Sequence, residues 1–269
     1  MTCAVLPEWL RPYKVEKLIR LGRDNDGGYL IDFANLVDTD LVLAFGVYDD
    51  WSFEEQFRSF RNVPILAFDQ SISGQHFFRR ILNALRFPDH PSMALERYLK
   101  YRRYKRFFAG DVRHVSKMVG QFDDDNYISV EQIVKDYELS RYEKRIFVKC
   151  DIEGDEYRIL DALLSSAELW SGIAVEFHNV DLHFGKVASF VTRLPLKLCH
   201  VHGNNFGPLL ANGVPSVIEC SFTSGPTLPS GDINLPHELD QPNDPAKPDY
   251  RIAFQPWQKR ADYDNSQNA

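Results

Sequence analysis

The stretch Asp40-Leu41-Val42-Leu43-Ala44-Phe45-Gly46-Val47, followed by Val63-Pro64-Ile65-Leu66-Ala67-Phe68-Asp69, decides the fold. The first run is almost continuously apolar, as a strand covered on both faces must be. Between the two runs, Ser52 and Glu55 stand at capping-box spacing, which predicts a helix over residues 53–60. Strand, short helix and strand of these lengths make a right-handed βαβ unit.

Further along the chain the alternation continues. Residues 73–106 read as helical and basic, with nine Lys and Arg between Arg79 and Arg106, among them Arg86, opposed only by Asp89 and Glu96. Phe107-Phe108-Ala109-Gly110-Asp111-Val112 reads as a third strand with its terminal turn. Ser129, with Gln132 three residues on, caps a helix over 128–139. Arg145-Ile146-Phe147-Val148-Lys149-Cys150 is a fourth strand and residues 155–165 a helix. Gly172-Ile173-Ala174-Val175-Glu176-Phe177-His178 is a fifth strand, followed by a helix over 180–194. Two strands over 196–201 and 214–222 follow. A Pro/Gly-rich tail then carries a late short strand over 250–254 and frays from Gln255. The expectation is an α/β fold with a mostly parallel sheet and helices on both faces. Residues 1–39 form an N-terminal extension packed on the core, 40–225 the main domain with a helical basic insertion at 73–106, and 226–269 the tail.

Composition narrows the function. The chain has 269 residues, 44% hydrophobic and 26% charged, which argues against disorder, collagen and coiled coil. A net charge of −7 argues against a broad basic surface for duplex nucleic acid. No apolar run of about 18 residues suggests a membrane span, and the N-terminus lacks the basic and apolar regions of a secretory signal. Cys3, Cys150, Cys199 and Cys220 show no CxxC spacing, as expected of reduced thiols in a cytoplasmic protein.

Sheets of this kind bind ligands at the carboxyl ends of their strands. Five such ends finish in small or polar residues: Gly46 with Asp49 and Asp50, Asp69, Gly110-Asp111, Asp151 with Glu153, and Glu176 with His178. Each Asp alone is commonly a cap or turn former, but in a parallel sheet all five ends would share one rim. Gly46 lets a ligand approach the backbone, and Asp69, some 20 residues on, suits ribose hydroxyls. Only one glycine is present where a nicotinamide cofactor wants GxGxxG. A diphosphate would meet Asp49 and Asp50. S-adenosylmethionine carries a positive sulfonium and a positive amino group, so the charges favour it over NAD or ATP.

The string Lys149-Cys150-Asp151-Ile152-Glu153-Gly154-Asp155-Glu156, with Ile159-Leu160 after it, resembles the K-x-D-[VI]-E-G-x-E-x-x-[VI]-L signature of FkbM-type methyltransferases. Asp26-Gly27-Gly28-Tyr29, Phe45-Gly46-Val47, Ser52-Phe53-Glu54 and Val175-Glu176-Phe177-His178 add to the resemblance, which spans residues 23–222. It implies a class I, Rossmann-like sheet of seven strands with the last antiparallel, and methylation of hydroxyls on sugars, polyketides or glycans. It also implies that Gly46 faces the methionine part of S-adenosylmethionine, Asp69 its ribose and Asp111 its adenine, with Asp151 and Glu153 where the methyl group moves. Typical members have a D-x-G-A-N-x-G loop after strand one. Here the first acid and the last glycine are missing, and Asp49 or Asp50 would take over the ammonium contact.

A neutral sugar hydroxyl needs a general base. His178 is the first choice, with an unperturbed pKa of about 6.5, and Asp151 the second. The bland alternative for His178 is a hydrogen-bonded core histidine. Asp151, Glu153, Glu176 and His178 also suit Mg²⁺ or Mn²⁺, should a metal take part. His200, His202, Asn204 and Asn205 either line an acceptor pocket or build a turn. The basic segment is either a solvated helix face or an attractor for an anionic acceptor such as a nucleotide-sugar. For Tyr98, Tyr101, Tyr104 and Trp51 core packing is expected. Two rivals to an O-methyltransferase remain: a non-catalytic α/β binding module, and a nucleotide-sugar enzyme of glycosyltransferase type. The sequence leaves oligomeric state open.

Overall fold

The computed structural model describes residues 2–85, 91–229, 231 and 233–256. Seven strands form the central sheet: β1 (Leu41–Phe45), β2 (Ile65–Phe68), β3 (Val112–Val115), β4 (Ile146–Cys150), β5 (Trp170–Phe177), β6 (Lys197–Gly203) and β7 (Ile218–Thr223). Their order across the sheet is β3-β2-β1-β4-β5-β7-β6. β1 to β5 pair in parallel, and β7 runs antiparallel to both of its neighbours. This is the class I methyltransferase arrangement that the resemblance implied.

Alternation along the strands builds the two faces. Leu41, Leu43 and Phe45 point with Ile146 and Val148 to one side. There they bury the apolar stripes of α5 (Val130–Asp136), α6 (Leu160–Ser165) and α7 (Val180–Arg193). Val42 and Phe147 point the other way, against α1 (Phe33–Asp38) and Phe53 and Phe57 of α2 (Ser52–Phe60). Ala44 and Ala67 complete that second face under Trp51, Phe77 and Tyr104. The last two side chains come from α3 (Gly74–Leu85) and α4 (Pro91–Phe107), which pack as a pair.

Several local expectations change. Ser52 is the first helical residue rather than the cap; Trp51 holds that position, and the Asp50 carboxylate accepts from the Ser52 amide at 3.1 Å. Phe107 ends α4, so the third strand is Val112–Val115, downstream of the expected one. Ile128 belongs to a short strand, Tyr127–Ser129, and Ser129 caps α5 by accepting from the Gln132 amide. Helix formation after β4 begins as a 3-10 turn, Glu156–Arg158, before α6.

At the N-terminus, Tyr29–Asp32 pairs with Leu18–Leu21 in an antiparallel ribbon that packs on β7. The late strand is Arg251–Gln255, paired in parallel with Cys3–Pro7, so Gln255 is held rather than frayed. The rest of the expected frayed tail, 257–269, lies outside the described residues, as do Arg86 and Asp89. Cys150, Cys199 and Cys220 are buried free thiols and Cys3 is an exposed one. Among the described residues no helix is long and apolar enough to cross a membrane.

Candidate functional site

A cavity of about 720 Å³ opens at the carboxyl ends of β1, β2, β4 and β5. Nine carboxylates line it against two permanent cations, Arg23 and Lys149. Such a space is a poor host for a diphosphate and a good one for a cation.

Its floor is the turn after β1. Gly46 has φ +76°, and a Cβ there would stand 1.8 Å from the backbone oxygen of Asp151. Glycine is therefore required by the close approach of β4 as well as by a left-handed backbone. Lys149 fastens the same turn: its ammonium donates to Gly46 O at 2.8 Å and lies 3.4 Å from Asp151 Oδ2. Burial pulls the Lys149 pKa down, but the charges of Asp151, Glu54 and Glu176 outweigh it, so the group stays a cation.

Asp69 closes β2, as expected, and lines the cavity. Its carboxylate is already engaged by its own chain. Oδ2 accepts from the amides of Val47 and Tyr48, at 2.9 and 2.6 Å, and Oδ1 from the amide and hydroxyl of Ser71. Asp49, expected to meet an ammonium, is held by Arg80 at 3.0 Å and Lys100 at 2.8 Å. Burial raises its pKa, yet these two partners outweigh burial and the net shift is downward. Asp50 is tied to Arg23 at 3.3 Å.

Asp111 does not belong to this rim. It precedes β3 rather than ending it, lies outside the cavity lining, and pairs with Arg58 at 2.8 Å. The misreading came from taking the aromatic end of α4 for a strand. The chain that follows β3 reaches the cavity through Met118 and Val119 instead.

The ends of β4 and β5 do converge. The Tyr29 hydroxyl bridges them, 3.0 Å from Asp151 Oδ2 and 3.1 Å from Glu176 Oε2. Asn204 donates to Glu176 Oε1 at 2.7 Å. Burial and the charges of Asp151 and Glu219 drive the Glu176 pKa well up. The one hydroxyl proton of Tyr29 is thus shared between two carboxyl acceptors, Asp151 and Glu176.

His178 stands beside this chain. Its Nδ1 meets Glu156 Oε1 at 2.9 Å, and its Nε2 lies 3.6 Å from Glu153 and 4.0 Å from Glu176. Burial lowers the imidazole pKa, but the hydrogen bond to Glu156 and the charges of Glu176, Glu156 and Asp151 prevail and raise it to about 9. His178 is thus an imidazolium at neutral pH. That corrects the reason for choosing it as base, which assumed an unperturbed ring. Glu153 is 87% exposed and sits at φ 58°. Ligand atoms of Asp151, Glu153 and His178 lie within 4.8 Å of one another, a spacing a metal ion can span. Glu176 is not part of that set; its oxygens are taken by Tyr29 and Asn204.

Three residues of the site were not singled out from the sequence for a role. Tyr29, Glu54 and Glu156 all lie inside quoted motifs, so the signal was present without a geometry. Glu54, in the first turn of α2, is fully buried and lines the cavity, and its Oε1 has no hydrogen-bond partner. Burial raises its carboxyl pKa to about 7. Of the His200–Asn205 group only Asn204 lines the cavity. His200 and His202 are hydrogen-bonded to Asp240, Glu219 and Asp249, and Asn205 donates to the carbonyls of Asp244, Lys247 and Pro248.

No protein-family model matches the chain, and no curated protein matches it either. Solved structures that align with it include a fibrillarin/Nop5p complex, at TM-score 0.35 and 11% identity over 69% of this chain and 73% of that one. A precorrin-6y C5,15-methyltransferase from Geobacter metallireducens aligns at TM-score 0.33 and 12% identity over 71% and 86%. A putative caffeoyl-CoA O-methyltransferase from Staphylococcus aureus aligns at 0.31 and 10% over 71% and 78%. These superpositions are loose, and the fold assignment rests on the strand order and sense described above.

Proposed function

We propose that the chain is an S-adenosylmethionine-dependent O-methyltransferase. The observation that carries this reading is the cavity at the carboxyl ends of a class I sheet, with nine carboxylates against two fixed cations. Within it, Glu54 takes the amino group of the donor, because its buried Oε1 is unpartnered while Asp49 and Asp50 are already paired. The ribose lies at Asp69, where a sugar hydroxyl replaces the rotatable hydroxyl of Ser71 on Oδ1. The adenine lies against Met118 and Val119.

Methyl transfer needs acceptor oxygen, methyl carbon and sulfur in line. Asp151 Oδ2 is held by Tyr29 and Lys149, which leaves Oδ1 to accept the proton of the acceptor hydroxyl. His178 serves as a fixed positive charge that stabilises the developing alkoxide. The acceptor class, a sugar, nucleotide-sugar or glycan hydroxyl, follows the FkbM resemblance.

Two observations favour second readings. The three ligand atoms on Asp151, Glu153 and His178 support a Mg²⁺ or Mn²⁺ that would replace the imidazolium proton and acidify the acceptor. The prior engagement of Asp69 and Asp49 supports a binding module that has lost donor chemistry. Calorimetry separates them. Micromolar binding of S-adenosylmethionine without added metal is expected. No heat at millimolar donor overturns the enzyme reading, and binding that appears only with Mn²⁺ moves it to the metal form.

A further inference from the structure

The pair α3 and α4 turns one side to the core and leaves another without a partner among the described residues. Phe77, Ala84 and Tyr104 are buried, with Tyr101 half-buried, against Trp51 and the sheet. On the outside, Phe78 is 59% exposed, Leu82 44%, Leu95 58%, Tyr98 47% and Leu99 53%. Five of the fourteen exposed large apolar side chains of the described residues thus sit on these two helices. Helical spacing orders them. Phe78 and Leu82 are four apart on α3, and Leu95, Tyr98 and Leu99 continue into Arg102 and Arg106 along one stripe of α4.

The charge around these side chains is one-sided. Arg79, Arg102, Lys105 and Arg106 are exposed and make no ion pair among the described residues. In sequence Asp89 and Glu96 are the acids between them, and of these Glu96 is among the described residues and exposed. This lies on a chain whose net charge is −7. An anionic surface would repel most of the molecule and attract this pair of helices. Apolar side chains beside unpaired cations on a helix face have the composition of an interfacial segment, apolar groups entering the headgroup boundary and cations meeting lipid phosphates.

We infer that the α3–α4 pair docks the protein on an anionic lipid bilayer. The docked face is tied to the cavity rim, since Arg80 and Lys100 from the same helices hold Asp49. The inference does not depend on what the cavity binds.

Co-sedimentation of the full chain with vesicles tests it. Partition onto phosphatidylcholine vesicles containing phosphatidylglycerol should exceed that onto phosphatidylcholine alone by about tenfold or more and fall as salt rises. Leu95→Asp with Leu99→Asp, and separately Arg102→Glu with Arg106→Glu, should each reduce it by about tenfold. These side chains are exposed, so far-UV circular dichroism and the melting temperature should hold; if a variant fails to fold, the salt titration of the unaltered chain decides. Equal sedimentation with and without vesicles overturns the inference. So does partition indifferent to salt and lipid charge. A concentration-dependent dimer abolished by the same substitutions also overturns it, and would make the face a contact between copies.

Discussion

Two groups of buried charge sit at the same end of the sheet and behave differently. One lines the cavity: Asp151, Glu176, Glu54 and His178. The other joins β6 and β7 to the chain after them. There, His202 meets Glu219 at 3.2 Å and Asp249 at 3.1 Å, and His200 meets Asp240 at 3.2 Å. Both contain a histidine whose pKa is raised. In His202, burial lowers it, and the hydrogen bonds to Asp249 and Glu219 outweigh burial. The tail group spends its charges on each other and does not line the cavity. The cavity group keeps a surplus of carboxylates and an unpartnered oxygen on Glu54. Buried charge by itself therefore does not mark a site; buried charge left unbalanced beside an open volume does.

The comparison breaks most visibly in stability. His202→Ala removes a cation from between two carboxylates in a dry interior. Losing one partner of a buried pair costs about 3–5 kcal/mol, seen as a lower urea midpoint. His178→Ala borders the cavity, where water can enter, and should cost clearly less. It should leave S-adenosylhomocysteine affinity within about twofold, since the ring meets the acceptor, and should not weaken S-adenosylmethionine, whose sulfonium loses a neighbouring cation. Equal stability losses in the two variants would erase the distinction.

Glu54 sharpens the comparison from the other side. Glu54→Gln removes a buried carboxylate whose Oε1 lacks a hydrogen-bond partner and whose pKa burial has raised to about 7, so stability should hold or rise. Donor affinity should fall by about 1.5–3 kcal/mol, the scale of a hydrogen bond to a charged group. Calorimetry and a melting curve on one sample read both effects. Unchanged affinity would return the ammonium to Asp49 or Asp50.

Asp69→Ala should weaken the donor by about 1–3 kcal/mol. Here stability falls too, because the amides of Val47, Tyr48 and Ser71 lose their acceptor. Loss of stability with intact donor affinity would make Asp69 a loop cap and nothing more.

Much of the fold was legible because continuous apolar runs bounded by Gly and Asp leave few alternatives to buried parallel strands. β1, β2, β4 and β5 fall inside the runs read for them or within two residues of their ends. β3 was missed because Phe107 and Phe108 imitate a strand while belonging to the aromatic layer around Trp51 and Tyr104. A single sequence shows apolar side chains but not which face receives them. In the site, residue types at strand ends were readable and their engagements were not. Asp69 looked free for a ribose, yet its acceptors depend on where the backbone of Val47 turns. His178 looked like a neutral base, yet its charge is set by Glu156, fixed only once the turn after β4 folds. Tyr29 stands 122 residues from Asp151 in sequence, and only the docking of the N-terminal ribbon on β7 brings them together.

The effects of pH differ in sign between the two groups. Asp240 has its pKa raised by burial, but the His200 charge and hydrogen bond outweigh that and bring it to about 2. A depressed acid contributes stability above its unfolded value, near 3.8, and loses it as pH falls through about 2. That contribution is about 2 kcal/mol. His178 runs the other way. With its folded value at about 9, it contributes stability fully below its ordinary 6.5 and loses it as pH rises through 9. The donor should couple to the second group and not to the first. A sulfonium entering beside His178 repels its proton. Binding of S-adenosylmethionine at pH 8 should therefore release protons, and S-adenosylhomocysteine, which lacks the sulfonium charge, should release fewer. Calorimetry in two buffers of different ionisation enthalpy measures the count. Equal release for both ligands would place the sulfonium away from His178 and dissolve the assignment of the methyl-transfer point to the ends of β4 and β5.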